Sequence, residues 1–146
     1  MKSTLTCLFF CFAAISFSQE SNSVRFMSDP SPSPDGNTLI FAYEGDIWKM
    51  DLTGGTAYRI TAMEGSESLP RFSPDGKWIA FTGTQDGNEN IYVVPSSGGE
   101  IKQLTFHSSF DHTDSWSWDS EQIYFTSGRF NNFSTYRVSM HGGTPQ

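Results

Sequence analysis

Cysteine is nearly absent from this chain. Its two cysteines, Cys7 and Cys11, both fall inside an apolar stretch near the N-terminus. Basic residues are scarce too: 9 Lys and Arg stand against 16 Asp and Glu, for a net charge of −7. They form no cluster, so the chain lacks the basic footprint that nucleic-acid binding requires. No apolar run reaches the ~20 residues that a membrane-spanning helix needs. No segment carries a helical period, and no Gly-x-Ser-x-Gly nucleophile elbow occurs. What the sequence does have is aromatic side chains: 13 Phe, 5 Tyr and 4 Trp among 146 residues. Hydrophobic residues at 36%, taken with 13 glycines, come near the globular norm. That excludes a disordered or collagen-like chain.

The first residues read as an address. Lys2 supplies a positive start, and residues 5–17 are mostly apolar. Ser16 and Ser18 put small residues at −3 and −1 of a cut before Gln19, the pattern of a cleaved secretory signal. Residues 1–18 are therefore expected to be a signal peptide, and the mature chain to be periplasmic or secreted. Both cysteines leave with that signal, so no disulfide and no thiolate metal site is expected. Losing Lys2 alone among the charges leaves 16 acidic against 8 basic residues, or −8.

The rest is organised by a repeat. A turn recurs as Ser33-Pro34-Asp35-Gly36, Ser73-Pro74-Asp75-Gly76 and the degenerate Ser117-Trp118-Asp119-Ser120. An apolar triplet follows each: Leu39-Ile40-Phe41, Ile79-Ala80-Phe81 and Ile123-Tyr124-Phe125. Next come an aromatic (Trp48, Tyr92, Tyr136) and a glycine pair (Gly54-Gly55, Gly98-Gly99, Gly142-Gly143). The turn serines are 40 and 44 residues apart, and only the segment between triplet and aromatic changes length.

Physical chemistry assigns these landmarks. Proline presets φ for the second turn position, Asp tolerates the third, and Gly supplies the exit. The β-branched and aromatic runs that follow have strand length, and a glycine pair permits a second tight hairpin. One repeat is thus strand, turn, strand, loop, strand, turn, strand. In the middle repeat the strands are expected at about 69–73, 77–82, 90–95 and 100–106. Trp78-Ile79-Ala80-Phe81 is apolar at consecutive positions, so both faces of its sheet must be covered. Four-stranded sheets repeated at about 40 residues and covered on both faces are β-propeller blades. The expected fold class is all-β. About three four-stranded antiparallel blades (28–61, 66–105 and 112–146) belong to an incomplete propeller spanning 19–146. A six-bladed ring at this period needs roughly 250 residues. An open stack exposes strand edges and apolar faces, so the isolated chain is not expected to be a stable monomer.

The string from Phe72 to Phe81, followed by Asn90-Ile91-Tyr92-Val93 and Gly98-Gly99, resembles the blades of TolB-like propellers. A narrower resemblance lies in Glu44-Gly45-Asp46-Ile47-Trp48-Lys49-Met50-Asp51-Leu52, then Leu69-Pro70-Arg71-Phe72 and Glu100-Ile101-Lys102-Gln103-Leu104-Thr105. This order is similar to the start of tricorn-type serine peptidases. The resemblance implies an N-terminal propeller that gates or docks peptides, itself non-catalytic, with the serine nucleophile beyond Gln146. Archetypal members of that family are cytoplasmic, which is the alternative location. Two further functions stay open: a TolB-like periplasmic protein-binding propeller, and the propeller of a prolyl-oligopeptidase-like peptidase. The expected partners are peptides or proteins at the propeller channel and the downstream blades and domains of the same chain. No catalytic residue, metal ligand or cofactor is assigned.

Several groups tempt a chemical reading. His107, Asp111, His112 and Asp114 have a spacing that could suit a divalent metal, but they fall where a blade-joining loop is expected. Asp86-Gly87-Asn88-Glu89-Asn90 begins like a calcium loop, yet Ile91 stands where the sixth-position glycine belongs. A hairpin loop is the expected structure there. Asn132-Phe133-Ser134 fits a glycosylation sequon. His141 is expected to be exposed, and Trp48, Tyr92 and Tyr136 to pack between blades. The first strand of each blade should be innermost, placing the channel edge near 69–73 and 114–117. That edge offers backbone groups for strand addition by an extended peptide.

Overall fold

The computed structural model describes residues 26–131 and 133–146. The expected signal peptide lies outside the described residues. Three antiparallel sheets follow one another along the chain, and no helix occurs among the described residues. The first runs β1 (Ser28–Pro32), β2 (Thr38–Tyr43), β3 (Asp46–Asp51) and β4 (Tyr58–Arg59), in that spatial order. The second repeats it with β5 (Glu67–Phe72), β6 (Trp78–Gly83), β7 (Asn90–Pro95) and β8 (Lys102–Gln103). The third has three strands, β9 (Asp111–Trp116), β10 (Gln122–Ser127) and β11 (Ser134–Ser139). Gln146 exchanges two backbone hydrogen bonds with Arg137 of β11, at 2.9 and 3.0 Å. That places Gln146 where Tyr58 pairs Lys49 and Lys102 pairs Val93 in the first two sheets.

Consecutive apolar residues serve opposite faces, as strand geometry requires. Ile79 and Phe81 of β6, with Tyr92 and Val94 of β7, pack on Ile40, Ala42 and Ile47 of the first sheet. Ala80, Ile91 and Val93 point the other way, and with Leu104 they meet Ile123, Phe125, Val138 and Met140 of the third. The middle blade is therefore covered on both faces. Burying each of these aliphatic chains contributes about 1.5–3 kcal/mol.

The Ser-x-Asp turn is built three times with one geometry. The fourth residue's amide donates to the serine carbonyl at 2.9, 2.9 and 3.0 Å in turn. Each serine hydroxyl donates to the aspartate and accepts from the amide five residues on. Each aspartate also accepts from the amide two residues on. The third turn lacks proline and glycine, yet Ser120 takes the position at φ +64° that Gly36 and Gly76 hold at +71° and +72°. Left-handed backbone costs a side-chain-bearing residue about 1–2 kcal/mol. Ser120 offsets part of this by accepting the Asp75 amide at its Oγ, 3.1 Å away.

The outer strands are shorter than the sequence suggests: β8 spans Lys102–Gln103, not 100–106. Leu104 still donates to the Ile91 carbonyl, but the Thr105 hydroxyl then takes over the Ile91 amide. Thr61 does the same for Ile47 in the first blade. A side chain thus replaces the ladder and lets the chain turn inward to the next blade. The inner strand β5 also starts two residues earlier than expected, at Glu67.

Candidate functional site: the inner strand edge and its turn-lined mouth

The inner strands β1, β5 and β9 each pair with one neighbour only, the second strand of their own sheet. Their other edges have no strand partner among the described residues, and β5 lies beside both β1 and β9. All three carry a bulge at the same place in the repeat. In β1 two residues, Asp29 and Pro30, oppose Phe41 alone, and in β5 Leu69 and Pro70 oppose Phe81 alone. In β9 the extra residue is Asp114. Asp29 and Leu69 sit at φ +53° and +52°. For a bulky residue such as Leu69 this is a strained backbone, of the kind that persists only where the surroundings enforce it. Bulges re-aim side chains and interrupt pairing, so the inner edge is kinked in each blade.

Cross-blade bonds already use part of that edge. The Arg71 guanidinium donates to the Asp114 carbonyl at 3.1 Å and to the Pro70 carbonyl at 2.9 Å. The Arg71 carbonyl accepts the Trp116 indole N–H at 3.0 Å. Pro30, Pro32 and Pro70 bring no N–H at all. The edge of β5 is thus a latticework tied to β9, and fewer groups remain for strand addition than a bare strand offers.

Where the inner strands end, the three Ser-x-Asp turns touch in series. A side chain built at Gly76 would meet the Pro34 ring at 3.7 Å, and the Asp75 amide reaches Ser120. Between them opens a cavity of about 390 Å³ lined by Pro34, Phe72, Pro74, Trp116 and Trp118. Trp118 is 95% exposed. The serine hydroxyls, with the nearby amides, hold the turn carboxylates well below the usual range, Asp35 to about 2. These three carboxylates are therefore ionised at any physiological pH, with Lys77 3.6 Å from that of Asp75.

Two buried acids open the second and third inner strands at equivalent positions, 44 residues apart. Glu67 accepts from the Thr61 hydroxyl at 2.9 Å and from the Gln85 amide at 2.7 Å. No cation pairs with it among the described residues, and burial, with Asp46 nearby, raises its carboxyl to about 7. Asp111 is fully buried, and here Arg129 replaces the glutamine, 2.7 Å away. The guanidinium also lies over Phe125 and Tyr136, at 5.4 and 5.0 Å. Sequence reasoning missed Glu67 and singled out Asp111 only as a possible metal ligand in a loop. The signal was present, since Gln85 and Arg129 are also 44 apart.

The residues that suggested a metal site are dispersed. Asp111 goes to Arg129, and Asp114 accepts from Thr126 at 2.8 Å. His112 reaches Glu89 at 2.9 Å and packs on Phe110, while His107 accepts the Ser109 amide at 3.0 Å. Among the described residues no group of three or more His, Cys, Asp or Glu gathers at one point. The 86–90 segment lies in the β6–β7 hairpin, where Gly87 donates to the Thr84 carbonyl at 3.0 Å. The sequon's acceptor, Asn132, lies outside the described residues. His141 is exposed, with Glu121 3.5 Å from its ring. Tyr92 stacks on Phe81 between the first two blades, and Tyr136 stacks on Phe125 beside the second interface. Trp48 sits on the open face of the first blade, edge-on to Tyr43.

Antiparallel sheets stacked face to face, each starting from an inner strand, make this chain a set of β-propeller blades. Residues 25–146 match the family model described as the tricorn protease N-terminal beta propeller domain, and the chain belongs to that family. It is 41% identical over 78 residues to tricorn protease homolog 1 of Streptomyces coelicolor. That alignment covers 53% of this chain but only 7% of the relative, so the chain spans a small part of such a protein. The crystal structure of TolB from Acinetobacter baumannii superposes with a TM-score of 0.69 and 29% identity, over 82% of this chain and 31% of that one. The tricorn protease crystal structure shares the fold, with a TM-score of 0.61 and 20% identity over 77% of this chain and 13% of that one.

Proposed function

We propose that these blades are the opening of an exported tricorn-like serine peptidase, and that they dock or gate its peptide substrates without hydrolysing them. The observation that carries this reading is the family match over residues 25–146, joined to three kinked inner strands, each at the open edge of its own sheet. Blade bounds of 28–61, 66–105 and 112–146, within a propeller begun at residue 19, belong to the same reading. So do the cleaved signal at 1–18 and a periplasmic or secreted location. Hydrolysis would fall to domains after Gln146, so the contribution of this segment is selection of what reaches them. A TolB-like protein-binding role is the second reading, supported by the 29% identity to that structure.

The test uses the full-length protein with Ser115→Trp, which narrows the inner edge at an exposed position of β9. Gating predicts that hydrolysis of a 20-residue peptide falls several-fold while a tripeptide is cleaved as before. Equal effects on both substrates, or none on either, would contradict it. A full-length protein that cleaves no peptide at all favours the binding role.

A further inference from the structure

We propose that a polar pocket in the middle blade, at the end away from the Ser-x-Asp turns, takes the N-terminal ammonium of a bound peptide. This rests on the docking role above. Strand β6 leads from the second turn to this end. The pocket, about 240 Å³, is lined by Asp86, Asn88 and Asn90 of the β6–β7 hairpin, Gln103 of β8, and Phe106 and His107 of the linker to β9. The middle blade has a neighbour packed on each face, so the pocket is not the open face of an end blade. The hairpin is the part of the repeat that changes length: residues 44–45 join β2 to β3, whereas 84–89 join β6 to β7. The third hairpin carries Phe130 where Asp86 stands, 44 residues earlier. Variable loops held by a rigid sheet are where binding groups are added. The turn itself does not call for an acid. Gly87 closes it on the Thr84 carbonyl at 3.0 Å, and the Asp86 carboxylate has no hydrogen bond or ion pair among the described residues.

The chemistry of the lining selects the occupant. No Lys or Arg lines the pocket, so the Asp86 carboxylate is its one fixed charge. The Gln103 amide nitrogen is committed to the Thr105 carbonyl at 2.9 Å, which leaves its oxygen as an acceptor. The Asn90 amide nitrogen is committed to the Asn88 carbonyl at 3.3 Å. One carboxylate among neutral oxygens balances one ammonium and satisfies its N–H donors, whereas a divalent cation would be left half neutralised. His107 supplies the lining's fixed donor. Its Nδ1 accepts the Ser109 amide at 3.0 Å, so the ring proton sits on Nε2. A peptide N-terminus offers both complements, an ammonium for Asp86 and, on the next carbon but one, a carbonyl for His107. A lysine side chain offers only the first. Phe106 is 78% exposed and presents its ring to the first side chain or to the cation itself. Asn90 is 2% exposed and held by both Asn88 and Thr105, so this wall is in place before any ligand arrives.

The test titrates the full-length protein and its Asp86→Asn variant by calorimetry, each first treated with a serine-reactive sulfonyl fluoride so that no peptide is turned over. The probes are Ala-Phe-Ala-Ala-Gly-NH2 with a free N-terminus, its N-acetylated form, and Ac-Lys-Phe-Ala-Ala-Gly-NH2. Asp86→Asn keeps the shape of an exposed side chain that the hairpin does not use, so it leaves the fold intact. The free peptide is expected to bind roughly tenfold tighter than the acetylated one, with the lysine peptide close to the acetylated. In Asp86→Asn the free and acetylated peptides are expected to fall within about twofold of each other. Equal affinity of these two for the unsubstituted protein would overturn the inference and leave docking standing. A preference for the free terminus that survives in Asp86→Asn would place its site elsewhere and also overturn it. A lysine peptide that binds as tightly as the free one would overturn the assignment to the chain terminus. If no peptide binds, both this inference and the docking role fall.

Discussion

Glu67 makes the stability of these blades depend on pH, and the dependence can be worked through. The side chain is 2% exposed and joins the first blade to the second through Thr61, which itself accepts the Ile47 amide. Desolvation first, and the neighbouring Asp46 carboxylate next, raise the Glu67 carboxyl from 4.5 to about 7. Below pH 4.5 the folded and unfolded chains both hold this proton, and no penalty arises. Above it the unfolded chain releases the proton and the folded one keeps it, so stability falls as pH rises. The loss grows until the folded group also ionises near pH 7, reaching about 3 kcal/mol. Glu67→Gln keeps the shape and the hydrogen-bonding capacity but has no proton to lose. Urea unfolding followed by tryptophan fluorescence, at pH 5 and pH 8, should show the wild type weakening by about 2.5 kcal/mol more than the variant, since part of the loss has already occurred at pH 5. Parallel losses in the two proteins would refute the reasoning, because the titrating group would then lie elsewhere.

Other substitutions test other joints. Arg129→Met leaves the fully buried Asp111 without its cation and should cost about 3–5 kcal/mol, read from the urea midpoint. Ser73→Ala removes the hydroxyl that binds both Asp75 and the Trp78 amide, and should cost about 1–2 kcal/mol by the same measurement. Tyr92→Phe should be neutral or slightly stabilising. The Tyr92 hydroxyl is buried with no partner among the described residues, and burial pushes its proton affinity up to about 12. A loss above about 1 kcal/mol would mean that the hydroxyl has a partner after all.

The blades were legible because their signals are local. Turn and triplet share one spacing, and alternate residues of Trp78–Gly83 serve opposite faces whatever lies beyond them. Even the degenerate third turn could be placed by register. Its tolerance of Trp118 and Ser120 traces to Ser117 and Asp119, whose side chains build the turn while proline and glycine only ease it. Non-local features were hidden. The length of β8 depends on Thr105 reaching across to Ile91, and a sequence window sees only another strand-forming threonine. Glu67 and Asp111 look like loop carboxylates until the bulged inner strands turn them inward. The His107, Asp111, His112 and Asp114 set is dispersed for the same reason. Neighbours in sequence were given separate partners by the sheet, the loop and Arg129.

Hydrogen–deuterium exchange of the full-length protein with a saturating unstructured peptide tests the central claim most directly. If the inner edge and its mouth dock the peptide, slowed exchange should appear in residues 68–72 and 111–118 and be absent from the outer segment 100–106. Slowing confined to 100–106, with the inner strands unchanged, would contradict the account.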